Sequence, residues 1–584
     1  RKESSAASDV YKRQPSQGEL GEYEPRIYFG QFSPDYSIVG APKGAPKREF
    51  DYPSDVTQDK GVNNTFTGQG GPSVGNLWER LMYALKFRSS EIFFSQQVNN
   101  SSQILFYRSP EQRVAKVAPY LTLDSRAYPA VVDMDGDPKT PKRMVWIVDG
   151  YTTSNSYPYS NHMDLNASIS DSRNIGSGYQ VMNSVNYMRN SVKAVVDAYD
   201  GSVHLYQWDA KDPIVNAWGK VFPGQIEPLS SVSGDLMAHF KYPEDLFKVQ
   251  RNLIARYHTT DPRSFYSGSD FWKLPDDPTH EGSQTVLSAL QPPYYLTMKA
   301  PGQESTEFSL YSTYIPYGQS DRNVLTGYLT VDSETGSKPG KVRDGYGKLR
   351  LLSLPSDLAV PGPGQVSNKF KTTDTVSQTL NLLSQQSTEV VRGNLLTLPV
   401  GGGLLYVQPV YVQAQSGTTY PLLRFVLTSF GDKIGFAPTL QASLDQLFGG
   451  DAGVQTSENE VPGAGAEGNG ENPAEPSLTP EQQLQAALQG ARKAMDDADA
   501  AMKAGDWEAY GKAQTELKQQ LQQALTVGGG LPETPDATQP ANPGDTPNVQ
   551  PTTEPSGAAP PAASPKAKST AAASARSQPR KSAS

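Results

Sequence analysis

Apolar and polar positions alternate in several distinct rhythms along the chain, and each rhythm predicts an element. In "NLWERLMYALKF", residues 76–87, Leu77, Leu81, Met82 and Leu85 recur at helical spacing and fall on one face, which predicts a helix. In "YPEDLFKVQRNLIARYH", residues 242–258, Pro243 stands at a first-turn position, and Glu244 and Asp245 suit the positive end of a helix dipole. Leu246, Leu253, Ile254 and Tyr257 are the residues expected to face inward there. Residues 194–208 follow a different rule. β-Formers flank Asp200-Gly201, a dipeptide suited to a tight type I′ hairpin turn because both residues accept positive φ. The longest charge-free run, residues 393–423, exceeds the roughly 20 apolar residues that a spanning helix needs. It holds Pro399, Gly401–Gly403, Pro409 and three glutamines, so it reads as two buried strands joined by a glycine turn. Residues 15–448 are therefore expected to form a large α+β region with antiparallel sheet.

Beyond residue 448 the pattern changes. Residues 449–479 are rich in Gly, Glu, Pro and Asn, the composition of a flexible acidic linker. Residues 480–527 read as a helical hairpin. Thr479-Pro480-Glu481-Gln482 is a capping box, and Leu484, Leu488, Ala491, Met495, Ala498 and Met502 make the first apolar stripe. Gly505 breaks it, and Asp506 caps a second helix striped by Trp507, Tyr510, Leu517, Leu521 and Leu525. The tail, residues 528–584, is Pro, Ala, Ser and Thr with a basic end; it has little to bury and is expected to be disordered. At the other terminus, residues 1–14 include "SSAASDVYKRQ", which reads as a translated adapter and is set aside; the natural chain is expected to begin upstream.

Composition removes several classes of chemistry. The 584 residues carry a formal charge of -9 and no basic stripe in the first 450, which argues against a nucleic-acid partner. With no cysteine there are no disulfides, thiol nucleophiles, Cys-ligated zinc or iron–sulfur clusters. His162, His204, His239, His258 and His280 lack metal-ligand spacing, and no cofactor is expected.

Candidate chemistry is sparse. Asp133, Asp135 and Asp137 in "AVVDMDGDPKTPKRMVWIVDGY" are the one calcium candidate. An EF-hand loop needs glycine at its sixth position and a bidentate acid at its twelfth, where Pro138 and Met144 stand. The flanking residues are strand-like, so a hairpin turn explains the aspartates better. "GPSVG", residues 71–75, fits a nucleophile elbow with Ser73 as nucleophile, but the preceding "NNTFTGQG" supplies no strand. The loop 68–75 also precedes a helix and invites a phosphate; it lacks the third glycine of a dinucleotide fingerprint and the Lys-Ser/Thr of a P-loop. Tyr28, Tyr36, Tyr151, Tyr157, Tyr159 and Tyr179 lie in polar stretches where a partner could stack, or where they pack under loops.

Several long stretches together resemble one family: "RIYFGQFSPDYSIVGAPKGAPKREFDYP" (26–53), "RVAKVAPYLTLDSRAYPAVVD" (113–133), "MVWIVDGYTTSNSYPYS" (144–160) and "RNSVKAVVDAYDGSVHLYQWDAKDPIVNAW" (189–218). "YPEDLFKVQRNLIARYHTTDPRSFYSGSDFW" (242–272), "QPPYYLTM", "LPSDLAVPGPGQVSNKF" and "GNLLTLPVGGGLLYVQPVYVQ" continue the series. The region resembles the UPF0182 family of large, uncharacterised membrane proteins known mainly from actinobacteria. The resemblance implies several transmembrane helices before this portion, with the present residues as an extracytoplasmic part of a multi-pass cell-membrane protein. It supplies no catalytic or ligand residues. It also implies that "MDGDPKTPK" is an inserted turn and that Ser73 is not required in the glycine loop. The expectation is a non-enzymatic module binding a partner protein or envelope polymer. The alternative is a glycan hydrolase, which requires two carboxyl groups roughly 5–9 Å apart across an aromatic-lined cleft.

Overall fold

A computed structural model describes residues 23–53, 61–137, 139–172, 184–279, 289–318, 323–355, 359–384, 388–415 and 420–450, together with Lys493 and Lys512. The chain divides into two units, Arg1–Pro462 and Gly463–Ser584. In the second, Lys493 and Lys512 are helical; the rest of the linker, hairpin and tail lies outside the described residues.

The first unit is α+β, built around three mainly antiparallel sheets. In the first sheet the order runs Ile226–Pro228, Val203–Gln207, Tyr187–Asp197, Arg143–Ser154, Thr122–Leu123, with Tyr128–Val132 also on Arg143–Ser154. The strand Tyr187–Asp197 is buried on both faces. Val192, Ala194 and Val196 pack with Val114 and Val215 from the helices Pro110–Val117 and Pro213–Val221. Val195 faces the other way, onto Leu236 and Met237 of the helix Gly234–His239. Period-two alternation thus feeds two cores at once.

The second sheet runs Trp272–Lys273, Glu307–Pro316, Gly327–Asp332, Leu349–Ser353, with Tyr294–Met298 also on Glu307–Pro316. The third runs Thr388–Arg392, Gly403–Ala414, Leu422–Phe430, Lys433–Ala437, with Leu396–Val400 also on Gly403–Ala414. Tyrosines join these two. The Tyr328 hydroxyl donates to the Thr397 carbonyl (3.0 Å), and the Thr397 amide donates to the Tyr311 hydroxyl (3.1 Å).

The charge-free run forms strands, as its prolines and glycines predict. Val400 pairs with Gly403, and the two residues between them, Gly401 (φ 58) and Gly402 (φ 76), are both left-handed, as a type I′ turn demands. The predicted turn at Asp200-Gly201 differs. Only Gly201 has positive φ (73), because the Asp197 carboxylate accepts from the Tyr199 and Asp200 amides (2.8 and 3.0 Å) and opens a wider turn.

The helix Glu244–Tyr257 lies between the first two sheets, and its buried face is not the expected one. Leu246, Leu253 and Ile254 are only half-buried and Tyr257 is exposed. Glu244, Asp245, Phe247, Lys248, Val249, Arg251 and Ala255 are buried. Lys248 Nζ meets Asp171 (2.8 Å), Glu244 (3.1 Å) and Asp245 (3.6 Å). The Asp245 carboxylate accepts from the amide and hydroxyl of Ser125, in the loop entering the first sheet. Directly across that sheet Lys193 pairs with Asp149 and donates to the Lys241 carbonyl (2.7 Å). Arg251 reaches the second sheet, donating to the Gln291 carbonyl (3.1 Å) and the Ser312 hydroxyl (3.2 Å).

This network holds five carboxyl groups (Asp124, Asp149, Asp171, Glu244, Asp245) and four cations (Lys193, Lys241, Lys248, Arg251). One carboxyl is left without a counter-charge, and Asp124 is placed to take the proton. Burial, then Asp245 and Asp149, push it well above the usual carboxylate range, while Tyr151 donates to its Oδ2 at 2.5 Å. Burial also lowers Lys193 and Arg251, whereas at Lys248 the pull of burial is outweighed by Glu244, Asp245 and Asp171, which raise it.

Charge pairing and protonation therefore make different predictions for two neighbouring aspartates. Asp149→Asn leaves Lys193 buried without its partner and should cost about 3–5 kcal/mol, whereas Asp124→Asn removes no needed charge and loses one accepted hydrogen bond, a cost of about 1–2 kcal/mol. Urea unfolding of the full chain at pH 7 reads both; equal losses would contradict a proton on Asp124.

Candidate functional site

Asp133, Asp135 and Asp137 lie between the strands Tyr128–Val132 and Arg143–Ser154, with their oxygens turned onto their own loop. Asp133 Oδ1 accepts from the amides of Asp135 (3.2 Å) and Gly136 (2.7 Å), and Asp137 Oδ1 from that of Lys139 (3.0 Å). Asp135 Oδ1 accepts from the Asp137 amide and the Thr140 hydroxyl, both at 2.9 Å, and these donors lower its pKa. Among the described residues no group of three or more His, Asp or Glu is placed to hold a metal ion.

The glycine loop is likewise spoken for. The Gln103 side chain accepts from the Gly70 and Gly71 amides (3.2 and 3.3 Å) and donates to the Gly68 carbonyl (3.0 Å), occupying the cradle a phosphate would need. A Cβ on Gly71 would stand 2.1 Å from the Ile104 carbonyl oxygen, so close strand approach explains that glycine. Asn76 and Glu79 form a reciprocal capping box at the helix start. Ser73 pairs with Gln103 in an isolated bridge, and its hydroxyl accepts from the Gly75 amide (3.1 Å).

Of the tyrosines, Tyr28 is half-buried against Phe66 and Tyr199 and donates to Glu49 (2.6 Å); Tyr36 donates to Ser89 (2.9 Å); Tyr151 is buried on Asp124. Tyr157 is exposed and stacks on Tyr187, and Tyr159 stands free in solvent at φ 57. Tyr179 lies outside the described residues.

A cleft of about 520 Å³ opens where the far end of the helix Glu244–Tyr257 meets residues 161–168 and the edge strand Trp272–Lys273. Its walls carry Tyr257, Phe271, Trp272 and Tyr317, and its polar groups include Asn161, His162, Asn252, Arg256 and Lys273. Tyr257 and Tyr317 present more than half of their surface. The Trp272 ring reaches past the adjacent strand Glu307–Pro316 to Gly327 on the next one, where a Cβ would meet it at 2.5 Å, so glycine there is a condition of the ring's position. His258 stacks on Trp272 with centroids 3.5 Å apart, its ring nitrogens facing the carbonyls of Ile254 (2.8 Å) and Asp270 (3.0 Å). Phe265 bridges Tyr257 and Phe271 (5.6 and 5.4 Å). The spacing of these aromatics carried no helical or strand period, so sequence reading missed them as a group.

Of the acids and bases lining this cleft, Asp164 and His162 are engaged by neighbouring groups, and Asp276 is exposed. Asp164 caps the helix Leu165–Ile169, accepting from the Ala167 amide (3.0 Å). His162 lies 3.4 Å from the Ser184 hydroxyl and 3.3 Å from Asn186 Nδ2. The Asn186 amide is oriented by Tyr157, whose N–H it accepts (3.0 Å) and whose carbonyl it donates to (2.7 Å). Asn186 Nδ2 is thereby aimed at His162 Nε2 as a donor. The cleft does not reach the buried Asp124 and Asp245.

One close carboxyl pair lies in the second sheet, clamped by Arg343. Glu307 Oε2 and Asp332 Oδ2 both accept from its Nη2 (2.6 and 2.5 Å). Hydrogen bonding to Asp332 and Arg343 holds Glu307 down at about 2, while burial and the bond to Glu307 push Asp332 up to about 6. The pair shares one proton and ties residues 333–347 to the sheet.

The comparisons with known proteins bear on the whole first unit. A family described as "Uncharacterised protein family (UPF0182)" matches residues 4–383. The chain belongs to the UPF0182 family. It is 52% identical over 543 residues to a UPF0182 protein of Leifsonia xyli, covering 88% of this chain and 54% of that one. It is also 52% identical over 535 residues to a UPF0182 protein of Bifidobacterium longum (88% and 49%) and over 540 residues to one of Paenarthrobacter aurescens (90% and 52%). This UPF0182 chain spans about half the length of the curated relatives it matches. No solved structure matches. Among the described residues no helix is long and apolar enough to cross a membrane.

The Arg343 clamp sets a pH signature. Asp332, raised from 3.8 to about 6, contributes stability that is complete below its unfolded value and lost as pH rises through about 6. Glu307, lowered from 4.5 to about 2, contributes stability present above its unfolded value and lost as pH falls through about 2. The pair should stabilise most near pH ~4. Relative to Asp332→Asn, the wild-type melting temperature should fall as pH rises from about 4 to 7; a pH-independent difference would refute the shared proton.

Proposed function

We propose that this chain is the extracytoplasmic, membrane-tethered binding module of a UPF0182 protein, and that its aromatic cleft takes an envelope glycan. The observation that carries the reading is the wall of exposed Tyr257 and Tyr317 with partly exposed Phe271 and Trp272, beside amide and basic side chains. Aromatic faces receive the C–H faces of sugar rings, while amides and guanidinium groups meet their hydroxyls. Asp164 is held as a helix cap, which leaves Asp276 as the other carboxyl lining the cleft; glycosidic cleavage needs a working pair, so the cleft favours binding. The tether is supported by relatives about twice as long, which leave room for membrane-spanning segments outside this chain.

Purified cell-wall glycan should pull the full chain down in a pelleting assay, and Trp272→Ala or Tyr257→Ala should weaken retention at least ~10-fold, about 1.4 kcal/mol, with the melting temperature of Tyr257→Ala unchanged. Retention that ignores both variants would defeat the glycan reading. Release of reducing sugar from the pellet would replace it with hydrolysis.

A further inference from the structure

The helix Leu77–Phe87 carries apolar side chains on two opposite faces, yet only one of them is covered. Tyr83, Ala84 and Phe87 pack inward with Val74, Ile92, Ile104 and Phe106. Arg80 pins that side through the carbonyls of Val98 (2.6 Å) and Val74 (3.2 Å). The opposite side points to solvent: Leu77, Met82 and Leu85, which share the predicted face with half-buried Leu81, are 66%, 51% and 67% exposed, and Trp78 beside them is 70% exposed. Phe94, on the short helix Ser90–Phe94 that follows, is 76% exposed. A surface helix ordinarily carries polar residues on such a face. Five large apolar side chains on one small region form a patch of the kind that marks an interaction site.

The charges around the patch distinguish its partner. Lys86, whose ammonium lies over the Phe106 ring (3.8 Å), and Arg88, Lys43, Lys47 and Arg48 are exposed. The loop bearing the last three is tied to this region, since the Gly40 carbonyl accepts from the Ser102 hydroxyl (3.2 Å), and Arg48 lines one cavity with Glu91. Against them stand Glu79, engaged in the capping box, Glu91, and Glu49, which lines the same cavity and accepts from the Gly40 amide (2.7 Å). This is a local excess of positive charge on a chain whose formal charge is -9. A second copy would bring the same cations to the same rim and repel. An anionic lipid surface offers an apolar interior for the stripe and negative headgroups for the rim. A tryptophan among leucines with flanking Lys and Arg is the composition of a helix lying in a bilayer interface.

We infer that the stripe Leu77, Trp78, Met82 and Leu85, with Phe94, docks flat on an anionic lipid bilayer. The surface is separate from the aromatic cleft and does not depend on it.

The test is flotation of the full chain with vesicles of phosphatidylglycerol and phosphatidylcholine. Wild type should float with anionic vesicles and be released by about 0.5 M salt. The double variant Leu77→Gln/Leu85→Gln should lose at least ~10-fold in partitioning with its far-UV circular dichroism unchanged. Brominated lipid should quench wild-type fluorescence, and the quench should vanish in Trp78→Phe. Absence of flotation, flotation indifferent to the double variant, or quenching that survives Trp78→Phe would each overturn the inference. So would a dimer in sedimentation that the double variant dissolves, because the stripe would then belong to a second copy.

Discussion

The first unit depends on burying charge without leaving it alone. The helix Glu244–Tyr257 enters the space between two sheets carrying Glu244, Asp245, Lys248 and Arg251 on its covered side, and each must find an opposite charge or a hydrogen bond there. Ser125 and Asp171 supply the first sheet's side of the contact, Gln291 and Ser312 the second's. Removing such a pair outright often leaves stability unchanged, whereas breaking it is severe, so the network specifies how the sheets meet more than it strengthens the contact.

That constraint also places the surface chemistry. With its first turns fixed among buried ions, the same helix delivers Asn252, Arg256 and Tyr257 to the cleft at its far end. Trp272 is set by the second sheet's edge and by the absence of a side chain at Gly327. A ring wall held this way is preformed, which spares a ligand the cost of ordering it. The apolar stripe of the helix Leu77–Phe87 is likewise carried on a rigid support, its inner face packed and its start capped. Chemistry that looked promising one residue at a time, at Asp133 or Ser73, is absorbed by loops satisfying their own amides.

Much of the fold was legible. The strands around Gly401-Gly402, the hairpin around Asp200-Gly201, the capped helix after Asn76 and the hairpin at Asp133 all follow from residues within a few positions of one another. The turn at Asp200-Gly201 departed from type I′ because Asp197, just before it, competes for the turn's amides. The site was barely legible. Tyr257, Phe271, Trp272 and Tyr317 become one wall only after two strands and a helix have converged, and no local period announces that.

By itself, the sequence determined the helices after Asn76 and Pro243, the strands and turns around Asp133, Asp200 and Gly401, the absence of thiol chemistry, and which family the chain joins. Those properties are written in short-range spacing, composition and long ordered matches. Tertiary structure alone decided which face of each element is covered. Lys193 needs Asp149 across a strand pair, Asp245 needs Ser125 from 120 positions away, and Leu77 is left uncovered because Tyr83 and Phe87 hold the inner side. Burial is a property of what arrives from elsewhere in the chain, and a helical stripe states only that a face exists, not what meets it.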